Sequence, residues 1–189
     1  MQIGCGVSTA IILDAASTVD GYKPNIVCLE PYPSRMLREL SAAGDIELLS
    51  LPAQEAPLES LIDLEMGDLL FVDSTHTVRP GSEVLRVIYE VMPRLELGVW
   101  VHFHDIYFPY DFSPGFLDHA FFGRESAFLH AYLCENPHYE INVSLSMLHH
   151  GCPDRLRTAL PDYQPCQTER GVRKGAGHFP SSTYLKRCS

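Results

Sequence analysis

Short apolar segments alternate with amphipathic segments along the first hundred residues of the chain. Four apolar runs of four to six residues are typical of strands that are covered on both faces: 25–29, 46–51, 69–72 and 99–103. Between them, the spacing of hydrophobic residues predicts helices over 8–17, 34–43 and 81–91, with Ser34 as an N-cap and Gly44 just past the end of its helix. This alternation predicts an α/β domain with a mostly parallel sheet and helices on both sides.

The pattern changes after residue 105. Residues 106–123 are rich in aromatic residues, proline and glycine, which is typical of a long loop that can act as a lid. Further along, the chain predicts a helix over 125–135, strands over 139–147 and 181–186, and a polar surface segment over 152–177. Since only Met1–Ile3 precede the first glycine, we expect a truncated first strand and a single domain, 1–189, that lacks its N-terminal part.

Composition narrows the class of protein. The chain has 189 residues with 46% hydrophobic content, no apolar run near the roughly 18 residues of a membrane span, and no basic segment before its first apolar stretch. Its net charge of −10 favours a small-molecule partner over nucleic acid. The six cysteines show no Cys-x-x-Cys spacing, so they predict reduced thiols in a cytoplasmic protein. A homo-oligomer is compatible with all of this.

A glycine turn follows the first strand, and an acidic residue follows the second. The turn has the sequence Gly4-Cys5-Gly6-Val7-Ser8-Thr9, and its glycines allow a ligand to approach the backbone at the N-terminus of a helix. Glu30 ends the second strand, where a carboxylate can accept both hydroxyls of a ribose. A dinucleotide site would need a third glycine where Thr9 stands, so S-adenosylmethionine is the better-supported cofactor.

Titratable residues follow two other predicted strands. Asp73 and His76 come after 69–72, and His104 and Asp105 come after 99–103. Ligands of parallel sheets bind outside the carboxyl ends of the strands, so these four side chains are expected to converge with the glycine turn. Two carboxylates and an imidazole, Asp73, Asp105 and His104, suit one divalent ion, and the imidazole favours Mn²⁺, Fe²⁺ or Zn²⁺ over Mg²⁺.

These residues also have a purely structural explanation. Histidines can end a strand, and aspartates can cap the loops that follow. We accept this explanation for His102, which lies on the same face as His104 but two residues further inside the strand. For the residues at the sheet edge the functional interpretation is favoured. His76, with an ordinary pKa near 6.5, would take the proton of a substrate hydroxyl, and Asp73 would assist it.

Four stretches together resemble class I S-adenosylmethionine-dependent methyltransferases, in particular the small-molecule O-methyltransferase-like branch with Asp-x-x-His and His-Asp motifs. They are GCGVST, CLEPYPS, FVDSTHTVRPGSEV and PRLELGVWVHFHDIYFPYDF. The resemblance covers about residues 1–150. It implies a Rossmann-like α/β/α sandwich with a seven-stranded, mostly parallel sheet whose last strand is antiparallel.

The resemblance also implies roles for individual residues. The expected cofactor contacts are Gly4, Cys5, Gly6, Ser8, Glu30, Pro31, Ala53, Gln54 and Asp73. The acids after strands four and five would bind Mg²⁺ or another divalent metal, which matches Asp73 and Asp105, while His104 stands where relatives keep a further acid or amide. His76 matches the base of some natural-product and sugar methyltransferases.

Two other functions compete with methyl transfer to a hydroxyl oxygen. A catalytically inactive or incomplete cofactor-binding fragment would fit the short start of the chain. A metal-dependent hydrolase built on Asp73, His104 and Asp105 is a weaker alternative, because it leaves the glycine turn and Glu30 without a role. The aromatic loop, with Tyr107, Phe108, Tyr110 and Phe112, is expected either to line the acceptor pocket or to plug the core.

Overall fold

A seven-stranded sheet forms the centre of the protein. The computed structural model describes residues 1–110, 124–165 and 179–189. The strands are β1 Gln2–Ile3, β2 Val27–Leu29, β3 Glu47–Leu49, β4 Leu69–Val72, β5 Trp100–Phe103, β6 Tyr139–Ser144 and β7 Thr183–Arg187. Their order is β3-β2-β1-β4-β5-β7-β6, and β7 runs antiparallel to both neighbours while the other pairs are parallel. The predicted Rossmann-like α/β fold is confirmed.

The α-helices among the described residues are α1 Val7–Ser17, α2 Arg35–Ala43, α3 Leu58–Ile62, α4 Glu83–Arg86, α5 Glu125–Leu133, α6 Leu145–Gly151 and α7 Pro153–Ala159. A π-helical segment, Val87–Val91, and a 3₁₀ turn, Met92–Arg94, continue α4. Four predicted helices are thus found as α1, α2, α4 with its continuation, and α5, whereas α3, α6 and α7 were not predicted. The Ser34 side chain accepts a hydrogen bond from the Leu37 amide, and Gly44 ends α2 with a φ of 82°, as the sequence predicted. Within the described ranges, no helix has the length and apolar character needed to cross a membrane.

The predicted strand over 139–147 is wrong at its C-terminal end. β6 stops at Ser144, and α6 starts at Leu145. The physical reason lies at the edge of the sheet, where the pairing register of β6 with β7 shifts between Ile141 and Val143 and only one side of the strand has a partner. The Leu145 amide then donates to Ser182 O, which closes the pairing.

Parts of two other predictions lie outside the described residues. Most of the predicted lid, including Phe112, falls in 111–123, and much of the predicted surface segment falls in 166–178. The described part of that surface segment begins with α7, whose Leu156 is buried.

Hydrophobic clusters lie on both faces of the sheet. Successive residues of β2 show this alternation: Cys28 packs with Ile26, Leu37 and Ile46 on one face, whereas Leu29 belongs to the larger core on the other. That larger core also takes in the inward residues of β4 and β5, such as Val72 and Phe103. Helices therefore cover the sheet on two sides, as continuous apolar strands require.

The chain reverses its winding direction at β1, which lies between β2 and β4. A crevice opens at such a point outside the carboxyl ends of the strands, and ligands of open α/β sheets bind there. The residues that leave these strands are in direct register: Gly4 N donates to Leu29 O, and Asp73 N donates to Ile3 O. The glycine turn and the Asp73 loop therefore start side by side.

Arg86 ties α4 to the segment after β3. Its Nη1 and Nη2 donate to Ala53 O at 2.7 Å and Ala56 O at 2.6 Å, and its side chain is 13% exposed. We expect Arg86→Met to lower the free energy of unfolding by about 2–3 kcal/mol, because two carbonyls lose a charged donor. Urea denaturation measures this. Arg94→Met, which loses one exposed bond to Glu90 O, is the matched control and should cost less than about 1 kcal/mol; equal losses would contradict the role of Arg86.

Candidate active site

Four predicted side chains meet at the ends of β4 and β5. His76 Nε2 lies 3.5 Å from Asp73 Oδ1 and 3.6 Å from Asp105 Oδ2. His104 Nδ1 lies 3.4 Å from Asp73 Oδ1 and 3.3 Å from Asp105 Oδ1, without the alignment of a hydrogen bond to either. The two imidazoles and two carboxylates thus form one cluster, as expected from the strand ends.

Two members of this cluster have strained backbones. His76 and Asp105 have φ values of 55° and 56°, in the left-handed region that residues other than glycine rarely adopt. Such residues persist where the surrounding structure holds them, and they are common at functional sites. Asp105 is held by Ser181, whose Oγ donates to Asp105 Oδ1 at 2.8 Å.

Glu125 is a member of the site that sequence reasoning missed. It lies in the first turn of α5, and its Oε2 is 2.7 Å from His76 Nδ1. Its side chain is 1% exposed. The sequence gives no local signal for this contact, since 49 residues separate the partners and an acidic residue in the first turn of a helix is common.

The side chains of the cluster differ in their exposure to solvent. The side chain of His104 is 41% exposed and those of Asp73 and Asp105 are each 35% exposed, whereas His76 is 15% exposed. Glu125 closes the inner end. A ligand can therefore approach His76 Nε2 past the two aspartates, but it cannot reach Nδ1, which faces Glu125.

The close charges shift every pKa in the cluster. Contacts with His104 and then His76 hold the pKa of Asp73 well below its usual range. Burial raises the pKa of Asp105, but contacts with His104 and Ser181 lower it to about 2. Contacts with Asp105 and Asp73 raise the pKa of His104 to about 10. These shifts favour charged aspartates and a protonated His104.

The buried pair at the inner end behaves similarly. Burial lowers the pKa of His76, but contacts with Asp73 and Glu125 outweigh it and raise that pKa to about 10. Burial also raises the pKa of Glu125, against the opposing contact with His76. At neutral pH and without a bound cation, the shared proton therefore belongs to the imidazole.

The metal-ligand set that the structure brings together differs in one member from the predicted set. Asp73, His76 and His104 each offer a ligand atom, and these atoms all lie within 4.8 Å of one another. Asp105, the third predicted ligand, is adjacent through its contacts to both histidines. One carboxylate and two imidazoles suit Mn²⁺, Fe²⁺ or Zn²⁺ better than Mg²⁺.

The glycine turn packs directly on the Asp73 loop. A Cβ on Gly4, which has a φ of 81°, would lie 1.7 Å from Asp73 O, so only glycine fits there. A Cβ on Gly6 would meet nothing within 4 Å, which leaves open space above the turn at the start of α1. Ser8 lies in the first turn of α1 and is partly accessible.

Thr9 explains the missing third glycine. It is fully buried, its Oγ1 donates to Gln2 Oε1 at 2.8 Å, and it accepts from the Gly6 amide. A side chain thus fills the contact between helix and strand that the third glycine of a dinucleotide fingerprint leaves open.

Glu30 reaches back to the glycine turn. Its Oε2 accepts from the Cys5 amide at 3.4 Å, and its Oε1 accepts from the Tyr32 amide at 2.9 Å. The Cys5 thiol points inward, toward Gln2 O and Leu29 O, so the main chain of Cys5 is the part available to a ligand. Pro31 follows Glu30 and is partly accessible.

Glu83 connects the segment after β3 to the Asp73 loop, and sequence reasoning missed it too. Its Oε2 accepts from Gln54 Nε2 at 3.0 Å, and its Oε1 accepts from both the amide and the hydroxyl of Thr75. Gln54 is exposed next to buried Ala53. Glu83 therefore joins the segment that carries Gln54 to the loop that carries Asp73 and His76.

His102 agrees with its structural interpretation. Its ring stacks on Tyr184 at 4.1 Å between centroids and meets the edge of Phe71 at 4.6 Å. Burial, and then the neighbouring His104, lower the pKa of His102 to about 4, so it stays neutral at physiological pH.

The described residues of the aromatic loop differ in burial. Phe108 is 3% exposed and belongs to the core, so it is a plug. Tyr110 is 48% exposed and meets the edge of the His150 ring, and Tyr107 stacks on Phe179, which also contacts His150. These rings form a partly open wall that starts two residues after Asp105.

Comparison with known protein families agrees with this geometry. A family model described as a methyltransferase domain matches residues 1–106, which contain the glycine turn, Glu30 and the four clustered side chains. The chain belongs to the class I S-adenosylmethionine-dependent methyltransferases. It is a methyltransferase, and the methyl donor that this membership implies is S-adenosylmethionine. A comparison with curated proteins gives no significant match.

Proposed function

We propose that this methyltransferase moves the methyl group of S-adenosylmethionine to a hydroxyl oxygen of a small molecule. The observation that carries the proposal is the placement of His76 Nε2 between Asp73 and Asp105, at a solvent-accessible edge beside the glycine turn. A hydroxyl acceptor must lose a proton as it is methylated, and the His76 imidazole can receive it once its own extra proton has left, as at high pH or beside a bound cation.

The cofactor site is supported by the shape and donors of the glycine turn. The open space over Gly6, the amides at the start of α1 and the carboxylate of Glu30 fit the amino-acid part and the ribose of S-adenosylmethionine. We assign its binding to Gly4, Cys5, Gly6, Ser8, Glu30, Pro31, Ala53, Gln54 and Asp73. The bound cofactor supplies an electrophilic methyl group on a sulfonium, and the protein's part is to hold donor and acceptor in line.

His76 is proposed as the base and Asp73 as its neighbour in the catalytic site. Because Nδ1 is occupied by Glu125, the proton of the acceptor would pass to Nε2. Asp73 and Asp105 flank that nitrogen and stabilise the positive charge that it gains.

A divalent ion is proposed to assist, with Asp73, His104 and Asp105 as its ligands. This set leaves His76 free for proton transfer, and the carboxylates and imidazole are chemically suited to Mn²⁺ or a similar ion. When bound, such an ion lowers the pKa of a coordinated hydroxyl and helps to orient it. His76, which belongs to the close set of ligand atoms, is the competing third ligand.

The wall of Tyr107, Tyr110, His150 and Phe179 supports a small acceptor. Aromatic rings beside a few convergent polar groups are typical of small-molecule pockets. The wall begins next to Asp105, so an acceptor that packs on it would bring its hydroxyl near His76.

Calorimetry and a transfer assay test the proposal together. We expect S-adenosylmethionine to bind with about micromolar affinity, and radiolabelled methyl groups to appear on the oxygen of phenolic or sugar acceptors. Added Mn²⁺ should raise the rate. Asp105→Asn should weaken Mn²⁺ binding, whereas His76→Ala should leave it within about twofold; the reverse order would make His76 a ligand rather than the base. Failure to bind the cofactor with or without Mn²⁺ would refute the proposal.

A further inference from the structure

We infer that Glu125 is a positioning residue for His76: it holds the Nδ1 edge of the imidazole so that Nε2 is the nitrogen presented to Asp73 and Asp105. The kinetic consequence of this inference rests on the proposed function. The contact itself does not, because it can be observed in the isolated protein.

The burial of Glu125 makes the contact specific. Its side chain is 1% exposed, and its Oε2 lies 2.7 Å from His76 Nδ1. Among the described residues, its other oxygen, Oε1, has no hydrogen-bond partner. A buried carboxylate is unfavourable unless it is paired. The bond to His76 is therefore what offsets the burial of this acid.

The loop position of His76 means that its ring orientation depends on side-chain contacts. His76 has a φ of 55° in a loop between the end of β4 and the start of α4, so no regular structure fixes its side chain. Its Nε2 contacts to Asp73 and Asp105, at 3.5 and 3.6 Å, are longer than a hydrogen bond. The 2.7 Å bond on the Nδ1 side is the short contact that sets the ring orientation.

The neighbouring residue supports the other catalytic loop. Ser126 Oγ accepts a hydrogen bond at 2.8 Å from the amide of Tyr107, which is two residues after Asp105. Glu125 and Ser126 are consecutive and both are buried. The first turn of α5 thus contacts the loops that carry His76 and Asp105, and it fixes them relative to each other.

The orientation matters chemically because an imidazole has two different nitrogens. With Nδ1–H donated to Glu125, proton transfer or metal binding takes place at Nε2, on the accessible side. If the ring turned over, a carbon would face the aspartates in place of Nε2. Without Glu125 both orientations become accessible, and part of the population would be inactive.

Three variants of the full chain test the kinetic consequence. We expect Glu125→Ala to lower kcat about 10- to 100-fold, with the dissociation constant for S-adenosylmethionine within twofold. Glu125→Gln keeps an oxygen that can accept from Nδ1–H, so it should retain a larger part of kcat than Glu125→Ala. Leu129→Ala, a buried residue of the same helix, is the control for lost stability: its unfolding midpoint should fall while kcat is unchanged below that midpoint.

A spectroscopic measurement tests the contact without any assay. In histidine-¹⁵N-labelled protein, the His76 Nδ1–H should give a strongly downfield proton resonance that exchanges slowly with solvent. It should be absent in His76→Ala, which assigns it, and lost in Glu125→Ala, while Leu129→Ala keeps it. Its persistence in Glu125→Ala would overturn the inference.

The two readouts separate this inference from the proposed function. If Glu125→Ala keeps kcat within twofold, or loses no more than Leu129→Ala does, the positioning role is refuted. If His76→Ala transfers methyl groups normally, the assignment of the base fails, yet loss of the downfield resonance in Glu125→Ala would still support the Glu125 contact.

Discussion

His76→Ala is expected to lower kcat for methyl transfer about 10²- to 10⁴-fold, the usual loss when a positioned acid–base group is removed. The ring contacts three carboxylates through both nitrogens, and alanine removes the group that we propose takes the acceptor proton. Steady-state kinetics with a hydroxyl acceptor measure the change.

Cofactor affinity gives the control for this variant. The glycine turn, Glu30 and Gln54 do not contact the imidazole in the described structure, so the dissociation constant for S-adenosylmethionine should change less than about twofold. His102 lies in β5 and packs against the rings of Phe71 and Tyr184, so His102→Phe should leave kcat unchanged. Equal loss of turnover and cofactor affinity in His76→Ala would indicate a structural role instead.

The same variant carries a signature in its pH profile. Neighbouring carboxylates raise the pKa of His76 to about 10, so without a bound cation the imidazole is protonated at neutral pH and cannot accept another proton. The wild-type rate should therefore increase with pH up to about 10 in the presence of a chelator. A cation bound at Asp73 would lower that pKa, so added Mn²⁺ should move the increase to lower pH. His76→Ala should lose this limb of the profile.

Gly4→Ala is expected to be the most destabilising substitution in the glycine turn. Its Cβ would stand 1.7 Å from Asp73 O, at a residue whose φ of 81° already disfavours any side chain. Left-handed strain and overpacking together predict a loss of roughly 2–5 kcal/mol in the free energy of unfolding. Urea denaturation followed by circular dichroism measures it.

Gly6→Ala is the matched control, two residues along the same turn. Its Cβ would meet nothing within 4 Å, so the added methyl group has no atom to clash with. The variant should therefore lose less stability than Gly4→Ala. It should instead weaken S-adenosylmethionine binding, because a methyl group would enter the space assigned to the cofactor. A Gly4→Ala protein as stable as Gly6→Ala would contradict the packing of the turn on Asp73.

The convergence of Asp73, His76, His104 and Asp105 could be predicted because it follows from local rules. Each pair comes directly after an apolar strand, and parallel strands end at a common edge. The boundaries of β4 and the capping of α2 were equally local, since a run of buried residues and a Ser–Gly pair specify them. In these places hydrophobic pattern and turn chemistry agree.

Glu125, Ser181 and Glu83 could not be predicted because their contacts depend on packing between distant segments. Ser181 meets Asp105 across 76 residues of chain, and Glu125 meets His76 across 49. Nothing in their own neighbourhoods distinguishes them from ordinary surface residues. The end of β6 was missed for a related reason, since the sheet edge and not the alternation of side chains decides where that strand stops.

The bridge formed by Glu83 can couple cofactor binding to acceptor binding. One carboxylate accepts hydrogen bonds both from Gln54, a proposed cofactor contact, and from Thr75, the residue before His76. A cofactor that displaces or tightens the Gln54 contact changes the restraint on the loop that meets the acceptor. Thermodynamic linkage then requires the acceptor to change cofactor affinity by the same factor.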